Sequence, residues 1–335
     1  MSAILFDLGG THLRCAVSGE HGSLTNYYRS RIRTFLDGHE ARVVWDNILS
    51  EMTDYIESVT GRLDYRTPVF LAFPGPIDAH QRIMHAPTVT GSHAVPDLRA
   101  ELMSLTARDV YILNDVSAAA WYFGERLTIG RFMVITVSSG IGSKIFDRRH
   151  PEGVLDRLPY AGEIGHFIVD ENPDAPRCDC GGIGHLGAIA SGRGVERRAL
   201  HCARLDMPSF ERSACVRDFN ASLTSLSNEQ HLVPAAKAGD EWALRVIRES
   251  TRPLARILNC MVLGMGLDGI VIIGGFALSL GSVYLDLVCD LMVECCDYPV
   301  LSSYLPELIR LGDVNDEACL KGTAAYARRI TQGTL

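Results

Sequence analysis

Twice in this chain a run of apolar residues breaks on a glycine-rich turn carrying a hydroxyl residue and then resumes. The first instance is Ala3-Ile4-Leu5-Phe6-Asp7-Leu8-Gly9-Gly10-Thr11 followed by Arg14-Cys15-Ala16-Val17. The second is the run 131–137, the turn Ser138-Ser139-Gly140-Ile141-Gly142-Ser143, and Lys144-Ile145-Phe146. Each reads as a buried strand, a turn built to approach a ligand, and a returning strand. Such internal symmetry is what two related halves closing on one phosphate chain would carry, and it restricts the fold to an α/β class with duplicated strand hairpins.

The text between and after the hairpins agrees with that class. Apolar residues recur at helical intervals over 40–60 (Val44, Trp45, Ile48, Met52, Ile56), and 68–73 is a short strand that stops at Pro74-Gly75-Pro76. Strand, helix and strand alternate, as in α/β architecture. A strand at 110–113 runs into Asn114-Asp115 and a helix over 117–125. Further on come a Gly-, Pro- and Cys-rich loop over 173–194, helical periodicity over 194–230, and a long amphipathic helix at 241–267. A strand at 269–273, the turn Gly274-Gly275 and a helix over 317–329 complete the chain. A length of 335 residues favours two domains. We expect an N-terminal α/β domain over 1–116, with the C-terminal helix 317–335 packing back on it, and a larger C-terminal α/β domain over 117–316 that includes the loop 163–187.

Composition removes several function classes. With 47% hydrophobic and 21% charged residues the chain can build sizeable cores. Its 32 basic and 40 acidic residues give a net charge of −8 without any basic block, so no nucleic-acid partner is expected. The longest apolar runs, such as 269–275, are too short for a membrane span, and residues 1–9 enter a strand without a leader pattern. A cytoplasmic protein is expected. Of ten cysteines, Cys260, Cys289, Cys295, Cys296 and Cys319 sit in apolar helical text and read as core thiols. Only Cys178 and Cys180 stand close together in polar, Gly-rich surroundings.

Four places carry chemistry. In Asp7-x-Gly9-Gly10-Thr11 the glycines let backbone N–H groups approach an anion, the threonine adds a donor, and Asp7 can hold a magnesium ion through water; alone, such a turn is as often purely structural. The turn Ser139-Gly140-Ile141-Gly142 has the same double reading. Asn114-Asp115 ends a strand before a helix, where an Asp is ordinarily an N-cap. Its functional reading is a general base taking the proton of a substrate hydroxyl, with Asn114 holding a neighbouring hydroxyl. Finally, Glu163-Ile164-Gly165-His166 precedes Cys178-Asp179-Cys180-Gly181-Gly182-Ile183-Gly184-His185. Two thiolates and two imidazoles suit a closed, structural tetrahedral zinc site. A redox pair competes with that reading, although a one-residue spacer flanked by histidines favours metal.

Taken together, these motifs resemble those of ROK-family sugar kinases. Asp7-Leu8-Gly9-Gly10-Thr11, Phe73-Pro74-Gly75-Pro76, Leu113-Asn114-Asp115, Ser139-Gly140-Ile141-Gly142, Glu163-Ile164-Gly165-His166, the Cys-x-Cys-Gly-x-x-Gly segment and Gly274-Gly275 follow in that family's order over nearly the whole chain. The resemblance implies an actin-like, ribonuclease-H-like two-domain ATPase fold, with sugar and ATP in the cleft between domains. It implies Asp115 as base, and Asn114, Glu163 and His166 on substrate hydroxyls with Gly75 on the same side. His166, Cys178 and Cys180 would bind zinc. Gly9, Gly10 and Thr11 with Ser139, Gly140 and Gly142 would hold the phosphates of Mg-ATP, and Gly274 and Gly275 would border the adenosine.

Three positions depart from the family pattern. His185 stands where a third zinc-binding cysteine is usual, an acceptable ligand change. Gly187 replaces a glutamate that binds sugar hydroxyls, and Thr88 replaces a sugar-binding asparagine. All phosphate turns are kept, so the expected activity is an ATP-dependent kinase of a hydroxyl, primary by preference, on a hexose-like polyol other than plain glucose. Candidates are another hexose, an amino or N-acyl sugar, or a C7-cyclitol. The alternative of another class is a non-catalytic, sugar-sensing member of the family. A DNA-binding repressor is disfavoured, because the first strand begins at Ala3 and the charge is negative. Related kinases are often dimers, and the apolar segment 285–300, first read as core helix, could supply a homodimer contact.

Overall fold

The computed structural model describes residues 2–333 apart from 10–11, 20–21, 35–36, 92–94, 314 and 316. The chain divides into two compact units. One comprises Met1–Gly130, Lys144–Ala161 and Val314–Leu335, the other Arg131–Ser143 and Gly162–Asp313. The first unit therefore runs past residue 116 and takes up a segment from mid-chain. The reason is packing: the helix after Asn114 lies against the C-terminal helix.

In the first unit five strands, β1 (Ala3–Leu8), β2 (His12–Ser18), β3 (Leu24–Arg31), β4 (Val69–Phe73) and β5 (Val110–Asn114), form a sheet of order β3-β2-β1-β4-β5. The β1–β2 and β2–β3 pairs are antiparallel, and β1–β4 and β4–β5 are parallel. The period of two in the strands sorts side chains to opposite faces. Ile4, Phe6 and Leu8 join Val69, Leu71 and Phe73 under α1 (Ala41–Thr60), whereas Ala3, Leu5 and Phe70 pack on Leu320, Ala324 and Ala327 of the C-terminal helix Ala318–Thr331. In α1 the buried Val44, Ile48, Met52, Tyr55 and Val59 recur every three or four residues, and each such burial contributes about 1.5–3 kcal/mol. The helix that follows β5, α2 (Asp115–Arg126), meets the C-terminal helix closely enough that a Cβ on Gly322 would lie 1.8 Å from the Ala118 carbonyl.

Register aligns the ends that matter. Asp7 pairs with Ala72, and Phe73 pairs with Asn114. Asp7, the 74–76 turn and the start of α2 thus share the carboxyl edge of the parallel strands, the edge where open α/β sheets present ligand sites.

The second unit is built on the sheet β7-β6-β8-β9, made of β6 (Arg131–Val137), β7 (Ile141–Asp147, its first three residues in this unit), β8 (Gly269–Ile273) and β9 (Ile309–Leu311). β8 is parallel to both neighbours and buried throughout, which accounts for its uninterrupted apolar text. Around it lie α3 (Gly192–Leu205), α4 (Glu241–Met265), α5 (Gly275–Leu280) and α6 (Ser282–Glu294). The Asp240 side chain caps α4 through the Ala243 N–H, and Gly266 at φ +59° ends it in the left-handed conformation.

Contrary to the expectation of a core thiol, Cys260 lies exposed on α4, while Cys289, Cys295, Cys296 and Cys319 are half-buried. Apolar neighbours in text do not reveal which face of a helix a residue occupies, and Cys260 falls off the stripe of Leu254, Leu258 and Val262. Among the described residues no helix is long and apolar enough to cross a membrane.

Candidate active site

In the first unit the hairpin turn leaves β1 through Asp7, which is 4% exposed. Its Oδ2 lies 3.1 Å from Nη1 of Arg14, its direct partner on β2, so the buried carboxylate is charge-paired. The Gly9 N–H donates to the His12 carbonyl at 2.8 Å and closes the turn; Gly10 and Thr11 lie outside the described residues.

Asn114 is the cap of α2. Its Oδ1 accepts from the Val116 and Ser117 N–H groups at 2.9 and 3.2 Å, and its Nδ2 donates to the Gly75 carbonyl at 2.9 Å. Capping therefore falls chiefly to Asn114, and Asp115 occupies the first helical position with Oδ1 accepting from Val116 N–H at 2.9 Å. Gly75 has φ +129°, and a Cβ there would lie 2.3 Å from the His85 carbonyl, so no other residue fits this turn. Thr88 lies in the short helix Pro87–Thr90, its side chain outside those described.

Two neighbours of the Asp115 turn, Asp156 and Cys319, and the lysine that acts on Asp156 carry no signal in the local sequence. Ser117 Oγ donates to Oδ2 of the half-buried Asp156, and desolvation raises that carboxyl's pKa against the opposing pull of the Ser117 hydrogen bond and Lys144. Lys144, 3% exposed, donates from Nζ to the Ala161 carbonyl at 2.6 Å. Cys319 Sγ lies 4.0 Å from the Asp115 carbonyl oxygen. Burial, and after it the Asp7 and Asp115 carboxylates, push this thiol well above its usual range, with Arg14 opposing. Cys319 thus stays neutral and adds no third negative charge beside the two acids.

In the second unit the parallel pairing of β6 with β8 sets two glycine turns side by side. Gly274 has φ +102°, and a Cβ there would come within 2.5–2.6 Å of the Val137 backbone; Gly275 faces Ser138 Oγ. Ser138 N–H donates to the Gly140 carbonyl at 3.0 Å. A Cβ on Gly140 would meet nothing within 4 Å, so the protein's own packing does not demand glycine there, while a ligand approaching the backbone would. Gly142, two residues on, is the second residue of the returning strand β7. The first turn of α3 reaches the same place, with Gly192 N–H on the Ser138 carbonyl at 2.7 Å and Arg193 Nε on the Ser139 carbonyl at 2.8 Å.

Glu163 precedes a single 3₁₀ turn, Ile164–His166, seated on β7: a Cβ on Gly165 would lie 2.3 Å from the Ile141 carbonyl. Gly187 lies behind this turn, where a Cβ would stand 3.2 Å from the Gly165 carbonyl. The His166, Cys178, Cys180 and His185 ligand atoms all lie within 4.8 Å of one another. Cys180 Sγ is 3.3 Å from His185 Nδ1, and Cys178 Sγ is 4.0 Å from His166 Nδ1. Zn–S and Zn–N bonds of about 2.3 and 2.0 Å put tetrahedral S···N edges at about 3.5 Å, so this donor set fits zinc. Glu163 Oε2 lies 3.9 Å from His166 Nε2, close enough for charge to act on the imidazole but beyond hydrogen-bond reach.

Known proteins share both the sequence and the fold. The model of a family described as "ROK family" matches residues 3–329. A "C(7)-cyclitol 7-kinase" of Streptomyces hygroscopicus subsp. limoneus is 34% identical over 330 residues, 97% of this chain and 93% of that one. A "C(7)-cyclitol 7-kinase" of Streptomyces hygroscopicus subsp. jinggangensis (strain 5008) is 39% identical over 262 residues, 77% of this chain and 73% of its own. A ROK family glucokinase from Streptomyces griseus, solved with glucose and AMPPNP, superposes with a TM-score of 0.74 at 22% identity, covering 98% of this chain and 100% of that one. The fold is the actin-like ATPase fold.

Proposed function

The chain belongs to the ROK family, and we propose that it transfers the terminal phosphoryl group of ATP to the primary hydroxyl of a C7-cyclitol. It is a phosphotransferase with an alcohol acceptor. The observation that carries the acceptor is the 34% identity to a C(7)-cyclitol 7-kinase along 97% of the chain. Gly187 supports it: with no carboxylate behind the Glu163–His166 turn, a hydroxyl of glucose would lose an acceptor, at a cost on the order of 1–3 kcal/mol.

Asp115 takes the proton from the attacking hydroxyl, and Asn114 with the 74–76 turn holds that carboxylate's strand end rigid. Glu163 and His166 bind further acceptor hydroxyls, and Thr88 is assigned to the acceptor as well. The turns at Gly9–Thr11 and Ser139–Gly142 cradle phosphates, and Gly274 and Gly275 border the adenosine. Asp7 would hold Mg²⁺ through water, and the ion would neutralise charge developing on the phosphates. Zinc at His166, Cys178, Cys180 and His185 would fix the metal loop. Because both thiols must be reduced to bind it, we place the enzyme in the cytoplasm. Exposed Val293, Tyr298 and Val300 support a homodimer contact through the segment 285–300.

The test is ADP release with Mg-ATP and a panel of C7-cyclitols, glucose and N-acyl hexosamines, with phosphorus NMR locating the ester. Preference for a cyclitol is expected. Preference for glucose removes the acceptor assignment, and polyol binding without ADP release marks a non-catalytic sensor.

A further inference from the structure

Arg193, in the first turn of α3, bridges the second glycine turn and the Cys178–Cys180 segment. Its Nε donates to the Ser139 carbonyl at 2.8 Å, and its Nη2 lies 2.6 Å from Asp179 Oδ2. Ser139 belongs to the second glycine turn, and Asp179 is the residue between Cys178 and Cys180. The helix start that carries Arg193 is itself pinned: Gly192 N–H donates to the Ser138 carbonyl at 2.7 Å, and Asn228 Nδ2 donates to the Gly192 carbonyl at 2.6 Å.

We propose that Arg193 is a positioning residue which transmits the order of the metal loop to the phosphate turn, through Asp179 on one side and the Ser139 peptide on the other. The inference rests on the reading of that turn as an ATP phosphate site. A guanidinium presents several donors in one plane and spans two acceptors as lysine cannot. The two side chains are 43% and 47% exposed, and an ion pair so open is ordinarily weak, because ordering both partners costs most of what the contact returns. Here the neighbours of Asp179 are the two thiols proposed to hold zinc, and coordination there would remove much of its backbone freedom beforehand. The pair then holds the guanidinium, and the guanidinium holds the peptide whose N–H groups face the phosphates. Asp179 reaches the Ser139 peptide through Arg193, so the proposed effect of the ion pair on ATP passes through that guanidinium.

Calorimetric ATP affinity, measured without acceptor on the metal-loaded protein, tests this in Asp179→Asn, Arg193→Ala and the double variant, with metal content assayed in each. The expected result is an ATP dissociation constant raised about three- to tenfold in Asp179→Asn, at least as much in Arg193→Ala, and no further in the double variant. Metal content and acceptor affinity stay as in the parent, which a general loss of structure would not leave untouched. Parent-like ATP binding by Asp179→Asn, or additive losses in the double variant, overturns the proposal and leaves the kinase reading standing. Failure of the parent protein to bind ATP at all would instead remove the kinase reading.

Discussion

Asn114 donates from Nδ2 to the Gly75 carbonyl at 2.9 Å while its Oδ1 caps the helix that begins with Asp115. One amide thereby ties the turn after β4, the end of β5 and the start of α2. Asn114→Ala should destabilise the protein by about 1–2 kcal/mol through the lost cap, with more from the Gly75 carbonyl left without its donor. Asn114→Asp keeps the acceptor and loses only the donor, so it should fall between. Denaturant titration of the three proteins checks the order, and equal stability of Asn114→Ala and the parent contradicts it.

Asp115→Asn retains an oxygen for the Val116 N–H and so preserves the helix start. It removes the proton acceptor, and kcat should fall at least about a hundredfold with ATP affinity unchanged. Near-parental turnover would show that another group takes the proton.

The Asp156 carboxyl, whose pKa desolvation raises above the ordinary 3.8, gives a stability prediction with a definite sign. Between 3.8 and the raised value the folded chain binds more protons at this site than the unfolded one, so its contribution to stability falls as pH rises through that window. Asp156→Asn can still accept the Ser117 hydroxyl hydrogen bond but does not titrate. Its stability should decline less than the parent's over the same window and exceed it at neutral pH. Parallel stability curves would mean that Asp156 ionises in the folded state as it does in the unfolded one.

Removing metal with a chelator should raise amide exchange across 163–187 while leaving the β1–β5 sheet protected, because the four ligands lie within one loop system of the second unit. His185→Cys should keep the metal, since either side chain supplies a ligand atom. A metal-free protein with unchanged exchange in that loop would argue for a redox pair instead.

Gly187→Glu should raise kcat/KM for glucose relative to a cyclitol by about tenfold or more, by restoring a carboxylate beside the acceptor turn. The Gly165 carbonyl, 3.2 Å from the added Cβ, must give by a few tenths of an ångström. Fold and metal content, checked by circular dichroism and metal assay, separate a changed preference from a misfolded loop.

Everything legible in the amino-acid order is short-range. The strands of both hairpins, the helix at 41–60, the glycine turns and the spacing of Cys178, Cys180 and His185 can be read there because periodicity, steric freedom and ligand reach act over a few residues. What stands beside them is settled by packing. Cys319 lies against Asp115 across 204 positions of chain, Asp156 meets Ser117 across 39, and Arg193 joins Ser139 to Asp179. No local pattern encodes such neighbours, because they arise only when helices pack and strands register. The exposure of Cys260 is of the same kind: its apolar surroundings specify a helix, and the choice of buried face waits on the elements that pack against it.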